Sequence, residues 1–184
     1  MSRCLTKITC ILATCLFSAE QTFAVVHVVS SGQSLQAAID EASAGDTFLV
    51  EAGDYDGSIV ITKALTIRAA PQATVAATGA LTITDTGGGK VRIRGLSLGT
   101  TTITGSAVDF VQCTFSSGMT ATDSAVALFR CAMPNGYLSS SGDLSVLAVA
   151  YSSLWAVNIN GGRGEFTCIT SSSPNPADTW NYPR

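Results

Sequence analysis

Apolar residues recur along the chain in columns with nearly constant spacing. Val91, Val108, Val126 and Leu144 form one column, and Ile93, Phe110, Leu128 and Val146 a second. Leu96, Cys113, Cys131, Val149 and Cys168 form a third, and Leu98, Phe115, Met133 and Tyr151 a fourth. The step within each column is nearly constant from Val91 onward. A repeat this short cannot bury its apolar face alone, so successive repeats must stack their inward side chains on one another. Half a coil earlier runs a second series: Ile59/Ile61, Leu81/Ile83, Thr101/Ile103, Met119/Ala121, Tyr137/Ser139 and Trp155/Val157. Inward apolar and outward polar residues alternate within these runs, with the strand period of two. The pattern predicts a solenoid whose coils each hold about three short strands. Gly95, Gln112, Arg130 and Ala148 share the bend between the first two strands, where a left-handed backbone is expected.

A different pattern precedes the coils. Ser34 is placed to cap a short helix whose apolar positions Leu35, Ala38, Ile39 and Ala42 follow helical spacing, and Gly45 is placed to end it. Asp46-Thr47-Phe48-Leu49-Val50 then starts the first strand. An open solenoid end exposes its core and its unpaired strand edge, and the helix is the expected cap.

The run from Ser34 to Ala42, followed by Gly45-Asp46-Thr47, Glu51-Ala52-Gly53-Asp54-Tyr55 and Ile59 to Ile67, resembles the N-terminal module of the pectin lyase-like superfamily. The likeness is close over residues 28 to 70 and extends further through coil periodicity alone. It implies an all-β fold: a single-stranded right-handed parallel β-helix of about five to seven coils, with an N-terminal capping α-helix, in an exported protein. A left-handed β-helix wants an aliphatic residue at about every sixth position. Counting from Val108, those positions hold Thr114 and Thr120. The interval from Ile67 to Ile93 is also longer than those after it, and contains Pro71 and Gly87-Gly88-Gly89.

Length and composition fit one elongated domain: 184 residues, 46% apolar and 12% charged. Arg3 and Lys7 precede an apolar stretch from Ile8 to Ala19, and Thr22-Phe23-Ala24 offers small residues at a cleavage site. Residues 1–24 therefore read as a signal peptide, 25–170 as the β-helix domain and 171–184 as a C-terminal tail or cap. The apolar stretch is shorter than the roughly 20 residues a spanning helix needs. Leu12-Ala13-Thr14-Cys15 only loosely resembles a lipoprotein box. The expected location is secreted or periplasmic, with no membrane partner after cleavage. The formal charge is −3, and the Lys and Arg residues look scattered, so nucleic acid is not an expected partner.

Cleavage leaves Cys113, Cys131 and Cys168, all in one inward column, with Val149 on the rung between the last two. They read as small core residues. A Cys113–Cys131 bridge is the alternative, because adjacent rungs lie about 4.8 Å apart. Neither a metal nor a cofactor is expected, since three thiols along a core do not make a tetrahedral site and the sole histidine, His27, is distant in the chain.

The candidates for catalysis are Asp109, Arg92 and Arg130. Outward positions on the first strand read Arg92, Asp109, Ala127 and Ser145. By resemblance, pectate lyases gather several acidic residues around calcium, an ion that takes about six to eight oxygen ligands. A polygalacturonase-like hydrolase needs paired carboxylates. Val108-Asp109-Phe110 resembles the motif around the nucleophilic aspartate of pectin methylesterases, with Arg92 or Arg130 as charge stabilisers. The second aspartate and the oxyanion glutamines of that family have no counterpart. A cross-strand ion pair with Arg92 is the simpler account of Asp109.

Thr82-Ile83-Thr84, Thr102-Ile103-Thr104 and Thr120-Ala121-Thr122 occupy one strand in three successive coils. The threonines of each pair flank an inward residue and must point outward. Val60 and Thr62 precede them, with Leu138 and Ser140 expected to follow. The array resembles the Thr-x-Thr ladders of ice-binding β-helices, although threonine also favours exposed strands in general. Tyr137 and Trp155 are expected in the core, and Trp180 and Tyr182 in a terminal cap. The reading reached from sequence is a secreted, non-catalytic module that binds polysaccharide or extracellular surface material. A pectin-active methylesterase or lyase, and an ice-binding protein, stand as alternatives.

Overall fold

A computed structural model describes residues 24–142, 146–150, 152–160 and 165–169. Residues 1–23 of the expected signal peptide, Leu144, Tyr151 and the tail carrying Trp180 and Tyr182 lie outside the described residues. The chain winds into a parallel β-solenoid of about six turns with one short helix. The first side of the coil is an eight-stranded sheet. Its strands are Val26–Val29, Thr47–Val50, Thr66–Ala69, Lys90–Arg94, Ala107–Val111, Ala125–Phe129, Val146–Ala150 and Glu165–Ile169. The second side carries Gly53–Asp54, Val75–Ala77, Leu96–Leu98 and Thr114–Phe115, and the third Ile59–Ile61, Leu81–Thr84, Thr101–Thr104 and Met119–Thr122. Ala132–Ser141 runs through both of these sides and joins them into one sheet, to which Ser153–Asn160 adds. A coil such as Ala107–Val111, Thr114–Phe115, Met119–Thr122 has sides of five, two and four residues. That is unlike the three equal sides of the left-handed alternative.

Strand alternation builds the core. Val91, Ile93, Val108, Phe110, Val126 and Leu128 are buried in register, and Phe110 meets Phe115 edge to face at 5.1 Å. Gly95, Gln112 and Arg130 adopt φ of 75°, 55° and 53°, as expected for the bend. Ala148 does not share that bend: it pairs with Ala127 in mid-strand. The corner from the third side back to the first has its own left-handed column, Asp85, Gly105, Asp123 and Gly142. Asp and Gly alternate there for a steric reason, because a side chain on Gly142 would collide with the Asp123 carboxylate. A small hydrogen-bonding residue follows several of these bends. Ser106, Ser124 and Ser152 donate to the carbonyls of Thr104, Thr122 and Ala150, and Cys113 and Cys131 do the same to Val111 and Phe129. Each of these oxygens also accepts a backbone N–H from a bend residue of the preceding rung, as Thr122 does from Gly105 and Phe129 from Gln112, so the side chain adds a second bond that pins the corner.

The expected columns hold from Ile59 through Cys131 and then shift. Val126 pairs with Leu147 rather than Leu144, Leu128 with Val149 rather than Val146, and Met133 with Leu154 rather than Tyr151. On the third side, Met119 pairs with Leu138 rather than Tyr137. One extra residue in the corner containing Pro134-Asn135-Gly136 causes the third-side slip, and two more between Ser141 and Val146 bring the later slips to three. An odd shift exchanges inside for outside. Leu138 and Ser140 are therefore buried, whereas Tyr137, expected in the core, is 59% exposed. Trp155 lies in the strand Ser153–Asn160, and its side chain is outside the described residues. Cys168 pairs with Val149 in the Phe110 and Leu128 column, so the cysteine column continues from Cys131 to Ser152 instead.

At the N-terminal end, Val26–Val29 precedes the helix and pairs with Thr47–Val50, adding a strand before the one expected to be first. The helix spans Leu35–Glu41 and buries Leu35 and Ile39. The Ser34 hydroxyl accepts from the Ala37 N–H at 3.2 Å. Ala42, not Gly45, is the C-cap, and Lys63 Nζ donates to the terminal carbonyls of Ile39, Asp40 and Ala42. Gln36 closes the third-side sheet by imitating a strand. Its Oε1 accepts from the Val60 N–H at 2.6 Å and its Nε2 donates to the Val60 carbonyl at 3.2 Å.

Candidate functional site

The threonine pairs lie in strict register on the third side. Thr82, Thr102 and Thr120 form one outward column and Thr84, Thr104 and Thr122 the other, flanking the buried Ile83, Ile103 and Ala121. The one-residue slip lengthens the array, because Ser139 and Ser141 take the next rung in place of Leu138 and Ser140. Thr122 and Ser141 hydroxyls lie 3.1 Å apart. The backbone register then continues to Asn158 and Asn160. Four rungs thus present paired hydroxyls on a grid of about 4.8 Å between rungs and about 6.6 Å along a strand. Val60, 41% exposed, stands at the edge where Gln36 closes the sheet. The period-two pattern revealed three of these rungs. The fourth was hidden by the corner insertion.

Asp109 lies between two cations. Lys90 Nζ is 3.0 Å from its Oδ1 and Arg92 Nε is 3.6 Å from its Oδ2. On its other side, Ala127 and then Ala148 continue the column, so no second carboxylate adjoins it along these rungs. Arg130 is drawn away, with its guanidinium 5.3 Å from the Phe129 ring centroid. The three catalytic candidates are not brought together: Arg92 and Asp109 pair and Arg130 points to an aromatic. Among the described residues no group of three or more His, Cys, Asp or Glu is placed to hold a metal ion. Cys113 and Cys131 are free, buried thiols. The neighbouring Cys131 sulfur, together with burial, pushes the Cys113 thiol well above its ordinary pKa and keeps it protonated.

His27 and Asp46 make a second polar cluster beneath the helix. Asp46 is 2% exposed and accepts from the Val25 and Ser43 N–H groups, each at 2.9 Å, with His27 Nε2 at 2.8 Å. These backbone donors and His27 lower its pKa to about 2, against the opposing effect of burial. His27 stacks on Phe48 at 5.0 Å, and the Ser34 hydroxyl near this end is committed to capping. The cluster ties the first strand to the turn before the second and offers no nucleophile.

The basic residues are less scattered than the sequence suggests. Strand alternation in Lys90-Val91-Arg92-Ile93-Arg94 turns all three cations outward, and Arg68 pairs in register with Arg94. Arg68 and Arg94 flank a cleft of about 590 Å³, walled by Ala70 to Ala73 and floored by Leu49, Ala69 and Gly95.

No protein-family model, curated protein or solved structure matches the chain.

Proposed function

We propose that the protein is a non-catalytic, exported β-solenoid module that binds polysaccharide or other ordered surface material through its threonine and serine ladder. The observation that carries this reading is the in-register grid from Thr82/Thr84 to Ser139/Ser141. A flat, rigid set of hydroxyls at fixed spacing complements a ligand that is itself periodic, because the sheet orders the donors and acceptors before binding and little entropy is lost. The resemblance of residues 28 to 70 to the pectin lyase-like superfamily supports the glycan class and the exported setting. The test is retention on insoluble polysaccharides, compared between wild type and a Thr102→Lys/Thr104→Lys variant. Retention abolished in the folded variant supports the reading, whereas equal retention removes the ladder from the interface.

Ice binding is a second reading, favoured by the extension of the ladder to a fourth rung. Thermal hysteresis or ice shaping by the wild type, lost in the same variant, would replace the glycan reading.

A further inference from the structure

The chain carries a formal charge of −3, yet four of its ten basic residues gather on two neighbouring rungs of the first side: Arg68 on one, and Lys90, Arg92 and Arg94 on the other. Asp109 engages Lys90 and Arg92. Arg94 instead donates through Nε to the neutral Gln112 Oε1 at 3.2 Å. Arg68 and Arg94 are separated by one rung step of about 4.8 Å, and none of the described residues lining their cleft is acidic. Two adjacent guanidiniums with no carboxylate between them are relieved by an anion, and their planar forks suit a carboxylate or sulfate held by paired hydrogen bonds.

We infer that this cleft is a second binding site, which takes the acidic groups of a carboxylated or sulfated glycan. Leu49, one rung before Arg68, gives the floor an apolar surface for the C–H face of a sugar ring, and the Gln72 and Gln112 amides stand at the rim for its hydroxyls. Gly95 keeps the floor low: it turns at φ 75°, and a Cβ there would press on Ala69 at 3.3 Å. Nucleic acid fits less well. Its charges follow one another every ~1.7 Å of duplex axis and call for a long basic track, whereas acidic groups spaced one per ring need only an arginine pair at a time. The site lies on a different side of the coil from the hydroxyl ladder and shares with the reading above only the class of ligand.

Calorimetric titration of the protein with alginate, dextran sulfate, neutral dextran and single-stranded DNA tests the site. Salt-sensitive binding of an acidic glycan is expected, weakened about tenfold or more by Arg68→Gln/Arg94→Gln. Lys90→Gln/Arg92→Gln removes the same charge outside the cleft and should weaken it less than about twofold. Preference for alginate assigns the ligand group as carboxylate, and preference for dextran sulfate assigns it as sulfate. Equal losses in the two double variants, equal binding of neutral dextran, tighter binding of DNA, or no binding of either acidic polymer would each overturn the site. Both variants alter exposed side chains, and melting temperatures matched to wild type confirm that affinity alone is being read. Retention on insoluble neutral polysaccharide reports the hydroxyl ladder separately, so either site can fail without the other.

Discussion

Two outward faces hang on one core, and they differ in almost every chemical respect. On the third side, the outward positions from Thr82 to Ser141 are short, neutral and hydroxyl-bearing. On the first side, they carry Arg68, Lys90, Arg92, Arg94 and Asp109. Beneath both, the inward columns are the same kind of aliphatic and aromatic stack, from Ile61, Ile83 and Ile103 on one side to Ile93, Phe110 and Leu128 on the other. In such a solenoid the recognition chemistry is written on every second residue and is largely separable from the fold. The same coil can present a hydroxyl grid and a basic cleft at once.

Substitution inside the stack should disable both faces together, and this is the largest expected effect. Leu128 is 1% exposed between Phe110 and Val149. Leu128→Asp would bury an unpaired charge at a cost of more than about 4 kcal/mol and abolish cooperative melting. An unchanged melting temperature would refute the inward register.

Loosening the end that both faces share should have a smaller effect. Asp46→Asn removes the carboxylate that gathers Val25, His27 and Ser43, and should cost about 2 kcal/mol. The Asp46 pKa is lowered in the folded protein from 3.8 to about 2. Its contribution is therefore complete above the unfolded value and is lost as the pH falls through the folded one. Melting followed from pH 5 to pH 2 should show a decline in the wild type that is shallower in the variant. Parallel curves would show that Asp46 does not carry it.

Thr102→Lys/Thr104→Lys should alter one face and spare the other. Both side chains are exposed, so the stability cost should be about 0.5 kcal/mol per site. Circular dichroism should be unchanged, and so should the binding of acidic glycan in the Arg68 and Arg94 cleft. Loss of that binding would mean that the two faces are coupled.

The smallest effect on stability is expected from Asp109→Asn, at no more than about 1 kcal/mol, because Lys90 and Arg92 are well exposed and screened. Freeing those cations should raise affinity for an acidic polymer modestly and widen the contrast between the faces. An assay of pectin demethylation by both proteins checks the other account of Asp109. Wild-type turnover abolished in the variant would make it catalytic.

The coil, the capping helix and three rungs of the hydroxyl ladder were all legible in the amino-acid sequence. Each depends on local periodicity: apolar columns at a nearly constant offset, helical spacing after Ser34, and threonines on either side of an inward residue. What lies beyond Cys131 was decided only by tertiary packing. There the corner containing Pro134-Asn135-Gly136 takes one extra residue, and the corner between Ser141 and Val146 takes two more than its predecessor. No repeat of fixed length can show how many residues a corner absorbs. Because a strand has a period of two, the single extra residue moved Tyr137 outward, Leu138 inward and Ser139 onto the ladder. The arginine cleft was hidden for a related reason. Arg68 and Arg94 are distant along the chain and become neighbours only when the loop from Ala70 and the glycines at 87–89 are wound into one turn.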